Sequence, residues 1–195
     1  MIRHGGEDAL PMTNFFTSDT HFGHENIINL CQRPFSSVQE MNDEMIRRWN
    51  SVVSEGDTVY HLGDFALGQK YLWPSYREQL NGSIILIAGN HDRNKRGIIY
   101  PVLISLMRAY GSMYLDERPT VILAHIPPGN DLDRGFLREM SLDPYADVLL
   151  CGHVHKAWKY SEYDGKTVIN VGVDVWDFTP RTLDELMSGF GGSHA

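Results

Sequence analysis

Short apolar runs, rather than long amphipathic stripes, set the rhythm of this chain. Asn14 to Ser18, Thr58 to Leu62, Ser83 to Ala88, Thr120 to Ala124 and Val148 to Cys151 read as strands. In Ile84-Ile85-Leu86-Ile87 and Leu149-Leu150 there is no alternation with polar positions. That is the signature of strands covered on both faces. Ser112 to Leu115 adds a further strand, and Ala157 to Tyr163 with Lys166 to Val171, split by Asp164-Gly165, predicts a hairpin. Helical spacing is confined to fewer places. Ser37 followed by Glu40 has the capping-box spacing, which predicts a helix running to about Val52, and Met41, Met45 and Trp49 recur on one face as core. A second helix is expected around Ser75 to Leu80. Ile98 to Tyr110 is mixed, with Pro101 suited to a helical first turn, and a last helix starts near Thr182 with Glu185 completing its cap. Ile126-Pro127-Pro128-Gly129 cannot extend a strand and predicts a loop. Residues 1–11 lack any periodicity and are expected to be a flexible extension, leaving 12–195 as one domain.

The residues just past each apolar run matter more than the runs themselves. Asp19 and His21 come after the first, Asp64 after the second, Asn90-His91-Asp92 after the third, His125 after the fourth, and His153 with His155 after the fifth. Ligands of open α/β sheets gather beyond the carboxyl ends of strands, so five exits of this kind predict one shared rim. Gly89, ahead of Asn90, is expected to let the chain turn sharply there. Imidazole, carboxylate and amide oxygen without thiolate suit divalent Mn, Fe, Zn, Ni or Co, with manganese favoured, rather than a structural zinc cage. Seven such donors exceed what one open site needs and fit two ions about 4 Å apart, with Asp64 as the bridging carboxylate.

Composition narrows the setting. The 195 residues suffice for one domain with a sizeable core, and 42% hydrophobic with 22% charged residues is ordinary for a globular protein. A formal net charge of −8 disfavours a grip on long duplex nucleic acid. No apolar run reaches the length of a membrane span and no signal-peptide pattern opens the chain, so no membrane association is expected. Cys31 and Cys151 make no disulfide framework, which points to a reducing, cytoplasmic setting.

The motifs Asp19-x-His21, Gly63-Asp64, Gly89-Asn90-His91-Asp92, His125 and Gly152-His153-x-His155 together resemble the five ordered blocks of the calcineurin-like metallophosphoesterase superfamily. Ser18 to His24 and Asn170 to Trp176 resemble a compact bacterial and phage branch of it. The resemblance implies a four-layer α-β-β-α sandwich of two mixed sheets. It implies one cation held by Asp19, His21, Asp64 and His155, and another by Asp64, Asn90, His125 and His153. A hydroxide bridging them would attack the phosphorus of a mono- or diester. His91 would act as general acid above the metals, with Asp92 orienting its imidazole.

Other residues invite a role. Asn90, His24 and Arg33 are candidate contacts for a substrate phosphate, with a structural ion pair the alternative for Arg33. Arg93, Lys95 and Arg96 form a basic loop after the tetrad, His61 is expected to satisfy the core, and Asp174, Trp176 and Asp177 to pack. Three functions fit the sequence: an esterase acting on a small phosphorylated molecule, a nuclease on short or single-stranded nucleic acid, and a non-catalytic interaction scaffold. Oligomeric state is not legible.

Overall fold

A computed structural model describes residues 12–115, 119–129 and 146–190. Its strands are β1 (Asn14–Thr17), β2 (Thr58–His61), β3 (Ser83–Ile87), β4 (Arg108–Tyr110), β5 (Ser112–Leu115), β6 (Val121–Ala124), β7 (Val148–Cys151), β8 (Tyr160–Tyr163), β9 (Lys166–Asn170) and β10 (Arg181–Thr182). They form two five-stranded sheets, in the orders β10-β1-β2-β3-β4 and β5-β6-β7-β9-β8. In the first, β1 to β4 run parallel and β10 opposes β1; in the second, β6, β7 and β9 run parallel between the antiparallel edges β5 and β8. Both sheets are therefore mixed, as the family resemblance implied.

Consecutive residues of a strand face opposite ways, and the side chains divide accordingly. Phe16, Leu62 and Ile87 meet Val121, Leu123, Val148, Leu150 and Ile169 between the sheets. Their neighbours Phe15, Val59, Ile84 and Leu86 face outward under the helices. Those helices are α1 (Glu25–Leu30), α2 (Val38–Val52), α3 (Trp73–Glu78) and α4 (Pro101–Leu106); α5 (Leu183–Ser188) packs its Leu186 into the layer between the sheets. Met41, Met45 and Trp49 of α2 are all buried in the outer layer. On the far face of the second sheet, Ile122, Leu149, Cys151 and Val168 form a smaller cluster. The helical layer expected to cover it is not seen among the described residues, and residues 1–11, read as an extension, lie outside them.

Local chemistry accounts for most boundaries. Ser37 caps α2 by accepting from the Glu40 amide at 3.1 Å, but the Glu40 carboxylate returns to Ser36 N–H at 2.8 Å rather than to Ser37. At α5 both arms of the box form, with Thr182 and Glu185. The mixed stretch from Ile98 divides: Pro101 opens α4, Met107 turns extended, and Arg108–Tyr110 becomes the edge strand β4. Three residues beside a helix give too short a pattern to announce a strand. The six-residue α1 was likewise unannounced, since His24 caps it with no side-chain bond. The hairpin's first strand starts at Tyr160 rather than Ala157.

Candidate metal centre

The polar exits of β1, β2, β3, β6 and β7 converge because the ladder continues past the strands. Asp19 N–H donates to Gly63 O at 2.9 Å and His21 N–H to Asp64 O at 3.0 Å, carrying β1–β2 pairing into the loops. Gly152 N–H donates to His125 O at 2.8 Å in the same way between β7 and β6. A bridge between Ser18 and Gly172 then ties the first sheet to the second at the rim.

Backbone conformation distinguishes this rim. Asp19, His21, Asp64, His153 and His155 all lie in the left-handed region, with φ between 47° and 71°. Each such residue costs about 1 to 3 kcal/mol and persists only where surroundings enforce it. Aspartate and histidine tolerate the region better than most, yet five together at one rim mark a built site.

The glycines of the motifs serve proximity. A Cβ at Gly63 would stand 2.5 Å from His125 Nδ1, and one at Gly152 would fall on Ser18 Oγ and 2.5 Å from Asp19 Oδ2. At Gly89 the Cβ would clash with Asp64 Oδ1 and stand 2.8 Å from Asp64 N. The chain bends directly after Gly89, and what requires glycine there is the close approach of the Asp64 carboxylate rather than a left-handed φ.

The rim donors fall into two groups, and Cys31, His155 and Asp174 form a third cluster beside them. Asp19, His21 and His155 bring one atom each within 4.8 Å of one another, and so do Asp19, Asp64 and His125. Asp64 Oδ2 lies 3.6 Å from His21 Nε2 and 3.4 Å from His125 Nε2, so it sits between the groups. Asn90 Oδ1 faces His125 Nε2 at 3.0 Å and His153 Nδ1 at 3.1 Å. His21 is almost fully buried, and neither ring nitrogen has a hydrogen-bond partner among the described residues. A buried imidazole left without partners, facing two carboxylates, is what a cation position requires, and the donor chemistry fits a divalent metal.

Electrostatics agree with that crowding. Burial disfavours charge on His125, but the Asp64 carboxylate outweighs it and pushes its pKa up to about 9. Burial also opposes charge on His155, whose pKa nevertheless rises to about 10 against Asp174. Burial pushes Asp19 up, reinforced by Asp64 and opposed by His125. At Asp64 burial acts the same way, but the surrounding histidines outweigh it and hold the carboxyl below the usual carboxylate range.

A family model for the calcineurin-like phosphoesterase superfamily domain matches residues 12–182. The chain belongs to that superfamily. An uncharacterized protein of Methanocaldococcus jannaschii is 49% identical over 81 residues, covering 40% of this chain and 46% of that relative. The Gene 66 protein of Mycobacterium phage L5 is 27% identical over 183 residues, covering 83% of this chain and 86% of its own. Among solved structures, a protein of unknown function from Aquifex aeolicus superposes with a TM-score of 0.71 at 27% identity, covering 91% of this chain and 99% of that one. An archaeal phosphodiesterase shares the fold with a TM-score of 0.51 at 23% identity, covering 83% of this chain and 84% of its own.

Within this calcineurin-like domain, all seven candidate ligands reach the rim, and His91 stands beside them with its side chain 43% exposed. Its amide donates to Asp64 Oδ1 at 2.9 Å, and its Nε2 lies 4.0 Å from Asp64 Oδ2. Asp92 departs from expectation. Its fully buried carboxylate accepts from the amides of Asp64 (2.7 Å), Gly89 (2.8 Å) and Phe65 (3.1 Å), so it clamps backbone rather than orienting His91. Burial and the nearby Asp64 push its pKa up to about 6.

Arg33 takes its alternative role, the structural ion pair. It is buried, with Nε and Nη2 on Asp174 at 2.9 and 3.0 Å, Nη2 on Asp19 O at 2.7 Å and Nη1 on Thr20 O at 2.9 Å. Those bonds leave it no reach to a substrate. His24 is half-buried, with its ring 5.3 Å from that of His21. Arg93 donates to Gly97 O and Ala88 O, while Lys95 and Arg96 are exposed. His61 is buried in the core, its Nε2 2.9 Å from Thr20 Oγ1.

The sequence missed two supports. Asp174 bonds His155 Nδ1 at 2.9 Å, and Asn170 donates to His155 O at 2.7 Å while accepting from Gly172 N–H. Both belong to the Asn170–Trp176 signature, whose residue types carried the only signal.

Proposed function

We propose that the protein is a phosphoesterase working with two divalent cations, manganese first among Mn, Fe, Zn, Ni and Co, on a small phosphate mono- or diester. Asp19, His21, Asp64 and His155 would hold one cation, and Asp64, Asn90, His125 and His153 the other. Bound there, such ions acidify water and offset the charge gathering on the phosphoryl oxygens. The observation that carries the reading is the partnerless, buried imidazole of His21 facing Asp64 at the junction of the two donor groups.

The chain's own residues supply position and a proton. Asp64 and Asn90 fix the junction, and the Asp64 carboxylate tethers the His91 backbone. The exposed imidazole of His91 then stands over the rim, its ring 5.4 Å from that of His21, where it donates a proton to the leaving oxygen. His24 and Asn90 border the same space and would contact the phosphate. A second reading, a nuclease on short or single-stranded nucleic acid, is favoured by Lys95 and Arg96, exposed just beyond His91.

The test is a panel of phosphomonoesters, phosphodiesters and oligonucleotides, run on metal-stripped protein with single metals added back. Activity that vanishes on stripping and returns with a divalent ion is expected, together with a loss of about a hundredfold or more in His91→Ala at unchanged metal content. Steep loss with salt would select the nuclease. A folded protein that takes up no metal would leave only the scaffold.

A further inference from the structure

The pair Arg33–Asp174 lies outside both donor groups, yet it touches the first of them from two directions. Both side chains have no solvent exposure, and the residues are 141 apart in sequence. Asp174 Oδ1 accepts from Arg33 Nε, and Oδ2 accepts from Arg33 Nη2 at 3.0 Å and from His155 Nδ1 at 2.9 Å. Arg33 donates further to the carbonyls of Asp19 and Thr20, in the left-handed stretch that carries Asp19 and His21, and to Met41 Sδ. A buried ion pair is weak evidence for stability, since desolvation offsets most of its attraction. Its geometry here serves something else.

We propose that Asp174, held by Arg33, is a positioning residue that selects the Nδ1–H tautomer of His155 and aims Nε2 at the Asp19–His21 cluster. The second donor group has no such device among the described residues. There His125 Nδ1 donates to a neutral backbone carbonyl, Leu62 O, at 2.7 Å. A carboxylate behind an imidazole makes the ring a stronger donor to a cation than a carbonyl does. The two cation positions are therefore unequal in how they are supported, and Asp174 governs one of them. This rests on the two-cation reading above, and it adds that the positions can be weakened separately.

Calorimetric titration of metal-stripped protein with Mn²⁺ tests it. The parent chain should show two binding events. Asp174→Asn should weaken one of them about 10- to 100-fold and leave the other within about threefold. His153→Ala should weaken the other event, which assigns each to its donor group. Arg33→Lys, which keeps the charge but loses the fork, should weaken the same event as Asp174→Asn by a smaller factor. A parent that binds no Mn²⁺ would defeat the two-cation reading itself. A parent with two events and a folded Asp174→Asn with both unchanged, or both lost, would overturn the positioning role alone. Where Asp174→Asn fails to fold, the parent chain loaded with Zn²⁺ decides by nuclear magnetic resonance. A slowly exchanging proton on His155 Nδ1 is expected, and metal on Nδ1 overturns the proposal.

Discussion

The two flanks of the rim are built by different means. On one flank, Asp19, His21, His153 and His155 sit on left-handed turns that are held by an ion pair and by a bond between the two sheets. Arg33 and Asp174 supply that support, and the Asp19 carboxylate accepts the His153 amide at 2.9 Å across the two sheets. On the other flank, Asp64 and the Gly89–Asp92 turn are held by one carboxylate gathering three amides from adjacent loops. The first flank relies on a pair 141 residues apart in sequence and on a bond between the sheets, the second on backbone already brought together by the parallel pairing of β2 and β3. Asp64 is left-handed as well, so both flanks hold strained backbone, one through an ion pair joined to the turns and the other through a single carboxylate placed between two loops.

Three substitutions probe that contrast. Gly89→Ala acts at the seam, because the new Cβ would displace the Asp64 carboxylate shared by both flanks. Esterase turnover should fall by about a hundredfold or more, as an ångström of misplacement can do, and elemental analysis should find bound metal reduced. Unaltered turnover would mean that Asp64 is not shared. Asp92→Asn acts on the second flank only. Its amide nitrogen would face one of three backbone N–H donors, costing about 1 to 3 kcal/mol in urea unfolding while one cation site is retained. A neutral substitution there would remove the idea of a clamp.

The smallest effect concerns the buried base beneath both flanks. His61 contacts Thr20 of the first flank and stacks edge-on against Phe65 of the second. Burial holds its pKa down at about 3, against the attraction of Asp64 and with the repulsion of His125. The unfolded chain therefore binds a proton that the folded one refuses. Stability from this group is complete above pH 6.5 and is lost as pH falls toward 3. His61→Gln should flatten the melting temperature against pH between about 6.5 and 4, relative to the parent protein. Parallel curves would show that His61 is not held neutral.

The same contrast explains what could be read in advance. The second flank was legible because its parts are contiguous: Gly63-Asp64 and Gly89-Asn90-His91-Asp92 each come directly after a buried strand. Even there, sequence shows the adjacency of Asp92 to His91 and not the amides folded against it. Strands and ligands of the first flank were also legible, but their support was not. Nothing near Arg33 announces Asp174, and Asp174 looks like a packing residue until His155 is set beside it. Short elements escaped for another reason: β4 and α1 are too brief to establish a period.

The Ser18–Gly172 bridge and the amide of Val173 on Ser18 O at 3.0 Å stitch one sheet to the other where the donors gather. Ions held across that seam would act as rivets, since prising the sandwich apart would break their coordination. Heat resistance would then track free ion concentration, gaining about 2.7 kcal/mol at a hundredfold excess over the dissociation constant. On the proposed two-cation reading, a shortage of transition metal would shorten the life of the protein as well as idle it.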